Sequence, residues 1–123
     1  MKLNGEEHET TLLAANNYAS LLKQLKRFEE TKALMRKSIP IARRVLGESH
    51  DLTLMMRRIY AIALYKDPSA TLDDLREAVT MLEDTTRTAR RVLGSAHPLT
   101  KATESDTQRA RLVLRASETP GNA

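Results

Sequence analysis

A chain of 123 residues with 41% hydrophobic and 29% charged side chains has the composition of one soluble unit, and four glycines with four prolines leave little material for a hairpin-rich β fold. The net charge of +4 comes from 20 basic residues interspersed with 16 acidic ones, which permits an acidic partner but lacks the unbroken basic face that nucleic acid requires. There is no cysteine, which excludes disulfides and thiolate chemistry, and no apolar run approaches the roughly 20 residues of a membrane span.

In chain order, Leu12, Ala15, Tyr18, Ala19, Leu22 and Leu25 recur at steps of three and one, placing a first helix over residues 9–25. A second stripe through Phe28, Leu34, Met35, Ile39, Ala42, Val45 and Leu46 predicts a second helix, with Gly47 as its C-cap and Pro40 expected to kink or loosen it. Leu54, Tyr60, Ala61 and Leu64 mark a third helix. Residues 66–70 read as a turn, and Thr71-Leu72-Asp73-Asp74 sets a hydroxyl three positions before a carboxylate, the pattern of a capping box. A fourth helix follows through Leu75, Ala78, Leu82, Ala89, Val92 and Leu93, stopped by Gly94. Pro98 suits the first turn of a fifth, which runs to about residue 116 and leaves residues 117–123 as a flexible tail.

These elements repeat. The pattern G-x-x-H-x-x-T occurs at Gly5, His8 and Thr11, at Gly47, His50 and Thr53, and at Gly94, His97 and Thr100, with spacings of 42 and 47. Ala42-Arg43-Arg44-Val45-Leu46-Gly47 recurs as Ala89-Arg90-Arg91-Val92-Leu93-Gly94. The expected fold is therefore all-α, a right-handed αα-hairpin solenoid of about two and a half units. One domain spans 1–116, divided as 5–46, 47–93 and a terminal helix 94–116. The five extra residues of the second unit fall between Leu64 and Leu75 and are expected to lengthen that loop. Ala19 and Ala61 occupy close helix crossings.

Each histidine stands at the same place in its unit without a second ligand at i+4, so the reading is a helix terminus, with His and Thr satisfying orphan backbone groups, and no metal. Carboxylate pairs (Glu29-Glu30, Asp73-Asp74) open helices and arginine pairs (Arg43-Arg44, Arg90-Arg91) close them, as the helix dipole favours. No phosphate loop or nucleophile constellation is present. The expectation is a protein that is not an enzyme and uses no cofactor.

The segments Leu13-Ala14-Ala15-Asn16-Asn17-Tyr18-Ala19 and Arg27-Phe28-Glu29-Glu30-Thr31, with the G-x-x-H turns and the Val-Leu-Gly helix ends, resemble the tetratricopeptide repeats of kinesin light chains, a 42-residue variant. Departures are Thr31 for Ala, Arg57, Arg58 and Ile59 for small and Asn residues, and Thr107 and Gln108 in the last helix. The resemblance implies a cytoplasmic protein–protein interaction scaffold whose concave surface takes an extended peptide. Its groove positions are Leu13, Asn16, Asn17, Ser20 and Lys23 on the first helix, Met55, Arg58, Ile59, Ile62 and Lys66 on the third, and Arg109 on the fifth. Asparagines would pair with a strand's backbone, and Lys23, Arg58, Lys66 and Arg109 would favour an acidic ligand. Arg58 is expected to be a surface cation whose charge can be reversed at little cost to stability.

The second reading is self-association or a structural role in a larger complex through uncovered end faces. Leu3 and the outward side of the first helix have no covering element, and Leu112, Val113 and Leu114 are too many consecutive apolar residues for one helix face to hide.

Overall fold

The computed structural model describes residues 5–118, with side chains from His8 onward; Leu3 and tail residues 119–123 lie outside the described part. Five helices follow in order: α1 (Gly5–Gln24), α2 (Phe28–Val45), α3 (Asp51–Lys66), α4 (Leu72–Leu93) and α5 (Pro98–Glu118). There is no strand among the described residues. Ser117 and Glu118 complete α5, so the helix reaches two residues into the expected tail.

Each helix packs on the next in the chain, and α3 also meets α1 and α5. The helices α1, α3 and α5 thus form one row, with α2 and α4 between and behind them. This is the all-α hairpin solenoid that the repeat implied. Its core runs along α3, where Leu54, Met56, Ala61, Ala63 and Leu64 are sealed from solvent. Ala19 and Ala61 are both fully buried.

The two G-x-x-H turns share one geometry. Gly47 and Gly94 take φ of +100° and +92°, and nothing lies within 4 Å of a Cβ built on either, so the backbone and not crowding demands glycine. The carbonyl of each glycine accepts from the histidine N–H three residues on, Gly47 from His50 at 3.4 Å and Gly94 from His97 at 3.3 Å. The imidazoles then cap the following helices: Nδ1 of His50 accepts from the Leu52 N–H at 3.1 Å, and that of His97 from the Leu99 N–H at 3.0 Å. The Nε2 side of His50 faces a Glu9 carboxylate oxygen at 3.3 Å, tying the cap to α1.

Two parts of the expectation fail here. The first G-x-x-H copy forms no such turn, because Gly5 and His8 lie inside α1. Thr53 and Thr100 are fully buried and their hydroxyls find no hydrogen-bond partner, so the capping belongs to the histidines alone.

The α1–α2 turn reaches the same end differently. Lys26 adopts φ +60°, the Arg27 N–H bonds the Leu22 carbonyl at 2.9 Å and the Lys26 N–H bonds that of Lys23 at 2.9 Å, a Schellman closure built without glycine. At the α3–α4 connection the capping box forms in full: Thr71 Oγ1 accepts from the Asp74 N–H at 3.1 Å and Asp74 Oδ2 from the Thr71 N–H at 3.0 Å. The box starts α4 three residues earlier in register than α2 starts. Most of the insertion therefore extends a helix, and the loop itself gains only residues 67–71 against 25–27. Helix α2 is assigned unbroken through Pro40, whose side is exposed.

Lys32, buried on α2, holds this loop in place. Its amine binds Asp67 at 3.0 Å and Glu29 at 2.7 Å; burial alone would lower its pKa, but the two carboxylates outweigh burial and raise it. The Ser69 N–H at 2.8 Å, together with Lys32, holds the Asp67 carboxyl below its ordinary range.

Candidate functional site

The row of α1, α3 and α5 presents the face on which the expected groove residues sit. Asn17 is exposed, Ser20 and Lys23 are half-buried, Arg58 is half-buried, and Lys66 and Arg109 are exposed. Leu13 is 45% exposed and shares with Met55, His50 and Glu9 a depression of about 510 Å³ between α1 and α3. Two expected contacts are displaced into the interior. Ile62 is only 2% exposed and joins the hydrophobic core, and Ile59 is buried beside it, because α3 has neighbours on every side and has little face left over. Asn16 is also buried, with its Oδ1 unpaired.

The centre of the face is a carboxylate that sequence reasoning missed. Asp106 of α5 is 1% exposed; its Oδ2 accepts from Arg58 Nε of α3 at 2.5 Å and its Oδ1 from the Tyr65 hydroxyl at 3.0 Å. Arg109 stands one turn further along α5 at 3.8 Å from the same carboxylate. Burial, and then the charge and hydrogen bond of Asp106, push the Tyr65 phenol up to about 12, so it stays a donor at all ordinary pH. The repeat offset carried a signal: Asp106 stands where the preceding unit has buried Ile59, and an acid at an inward position requires a cation opposite.

Lys23 belongs to this cluster. Its amine is held below the ordinary lysine range by burial first, then by repulsion from Arg58 and Lys66, with Asp106 acting in the opposite sense. Lys23, Arg58 and Arg109 therefore lie around one buried anion that Arg58 and Tyr65 already occupy, with Lys66 close enough to Lys23 to repel it. The surplus is positive. Asn17 and Ser20 share α1 with Lys23, but no contact links them to the cationic group.

Arg58 cannot be the freely reversible surface charge expected of it. Its guanidinium is the main partner of a carboxylate removed from water, and a glutamate there would set two acids against each other in the interior.

At the opposite end, Leu112 is 62% and Val113 37% exposed, whereas Leu114 is partly buried and packs against the core. Among the described residues, no group of three or more His, Asp or Glu side chains is arranged to hold a metal ion, and no helix is long and apolar enough to cross a membrane.

Fold and face together define an all-α helical-repeat protein with a charged inner row. Residues 11–51 and 70–99 match the tetratricopeptide repeat model, more than half of the chain, and the protein belongs to the tetratricopeptide repeat family, of the kinesin-light-chain-like 42-residue type. No curated protein and no solved structure matches it. Tetratricopeptide repeats generally mediate protein–protein interaction. Arg58, Tyr65 and Asp106 all fall outside the matched segments, so the ion-paired cluster is a feature of this chain beyond the matched pattern.

Proposed function

We propose that the protein is an interaction module that takes an extended, acidic segment of a partner protein along the row of α1, α3 and α5. The observation that carries this is the excess of positive charge at Lys23, Arg58, Lys66 and Arg109, of which only Arg58 is committed to a close ion pair with Asp106. Lys23, lowered in pKa by burial first and by its cationic neighbours after that, gains when an anion arrives, because an acidic side chain or terminal carboxylate offsets part of that repulsion. Asn17 and Ser20 offer neutral donors and acceptors further along α1, suited to a strand's backbone.

The experiment uses a fluorescein-labelled, unstructured peptide of alternating Glu and Ala, read by anisotropy. Lys66→Glu combined with Arg109→Gln alters two exposed residues and leaves the Arg58–Asp106 pair intact. Binding is expected to weaken by about tenfold or more, roughly 1.4 kcal/mol, with the melting temperature unchanged and the wild-type affinity falling as salt is raised. Equal binding by wild type and variant would remove this patch from the site.

A further inference from the structure

In the internal units, one side of each front-row helix is covered by the helix before it. On α3 that side carries Met56, Tyr60 and Ala63, all buried; Arg36 of α2 lies 5.8 Å from the Tyr60 ring centre and donates Nε–H to its hydroxyl at 3.3 Å. On α5, 47 positions later, Thr103, Thr107 and Ala110 are buried, with Thr107 hydrogen-bonded to Thr86 of α4 at 3.2 Å. The same places on α1, 42 positions before those of α3, hold Ala14, Tyr18 and Leu21, and Leu25 continues the row just past the helix end. All four are exposed, Tyr18 by 54%, Leu21 by 49% and Leu25 by 57%.

We infer that this row is a homodimer contact, in which α1 packs antiparallel against α1 of a second copy. Three observations select that occupant. The steps from Ala14 to Tyr18, Leu21 and Leu25 are four, three and four, the seam spacing of paired helices, and a two-fold axis between Tyr18 and Leu21 sets Ala14 against Leu25 and Tyr18 against Leu21, with an apolar residue opposite every member of the row. No residue from Thr10 to Leu22 carries a charge, in a chain that is 29% charged, so two identical faces meet without like-charge repulsion. The other end of the solenoid is closed to the same use: where α3 has the sealed residues Leu54, Ala61 and Leu64, α5 presents exposed Lys101, Gln108 and Arg111. At that end the exposed apolar residues are Leu112 and Val113, beside these polar and charged side chains, so it does not repeat the uncharged row of α1.

This face is separate from the cationic row, and its test is independent of peptide binding. A four-residue seam is smaller than the roughly 800 Å² per partner of a standard interface, so the dimer is weak, forming at about 100 μM. Sedimentation equilibrium on the full chain between about 10 μM and 1 mM is expected to show the mass rising from 13.8 kDa toward twice that value. Leu21→Glu places two carboxylates beside the axis and is expected to weaken association at least tenfold; Leu25→Lys, in the turn, does the same should Leu21→Glu lose helicity by circular dichroism. Val113→Glu, at the far end, is expected to associate as wild type does. A wild-type mass fixed at 13.8 kDa throughout, undiminished association in the folded α1 variants, or its loss in Val113→Glu would each overturn the proposal.

Discussion

At the scale of single residues, the sequence revealed side but not partner. The resemblance to the repeat family implied one row for Lys23, Arg58, Lys66 and Arg109, yet a repeat pattern cannot say that Arg58 faces an acid 48 positions away. The same limit applies to Ile62, whose position in the repeat suggested a groove contact while its actual burial depends on neighbours on all sides of α3. The structure also explains some departures from the repeat pattern: Thr31 is fully buried in a place expected to hold Ala, and its hydroxyl is satisfied by the Arg27 carbonyl at 2.8 Å. The Arg58–Asp106 pair makes a direct prediction. Arg58→Glu should destabilise the fold by about 3–5 kcal/mol in chemical denaturation, since it strips a buried carboxylate of its main partner and adds a second acid. Arg58→Met with Asp106→Ile, which restores the apolar character Ile59 has in the preceding unit, should recover most of that loss. An unchanged midpoint for Arg58→Glu would mean that the pair contributes nothing.

At the scale of elements, helix existence and order were legible because each apolar stripe is long and both punctuating glycines stop a helix through a positive φ. Boundaries were less so. The insertion between Leu64 and Leu75 looked like loop, but the Thr71–Asp74 box nucleates helix at once and turns residues 72–74 into the first turn of α4. The first turn of the solenoid hid its own cost: nothing in Leu25-Lys26-Arg27 announces a left-handed residue, yet Lys26 stands at φ +60°. A side chain in that region costs roughly 1 kcal/mol relative to glycine. Lys26→Gly should therefore raise stability, by less than that amount because glycine gives part of the gain back through a freer unfolded chain, in urea denaturation with the helix content unchanged. A loss of stability in that variant would show that the closure depends on the lysine side chain.

At the scale of the whole molecule, the organising element is α3. It alone packs on all four other helices, and the backbones of α1 and α2 do not approach those of α4 and α5. Long-range ties reinforce this arrangement: Lys32 of α2 grips the loop that follows α3, Tyr60 of α3 donates to Glu77 of α4 at 3.1 Å, and Tyr65 of α3 donates to Asp106 of α5. A repeat array in which each unit held only its nearest neighbour would lose its ends first; here both ends lean on one central helix, so the chain should unfold in a single cooperative step. Leu64, sealed from solvent in the middle of that helix, is the place to test it. Leu64→Ala removes buried volume at the shared element and should cost about 2–5 kcal/mol. The far-UV circular dichroism transition, which reports all five helices, and the tyrosine fluorescence transition, to which Tyr60 and Tyr65 of α3 contribute, should move together by the same amount. Two separated transitions, in wild type or variant, would show instead that the terminal hairpins melt as independent units and that residues 5–118 are not one domain.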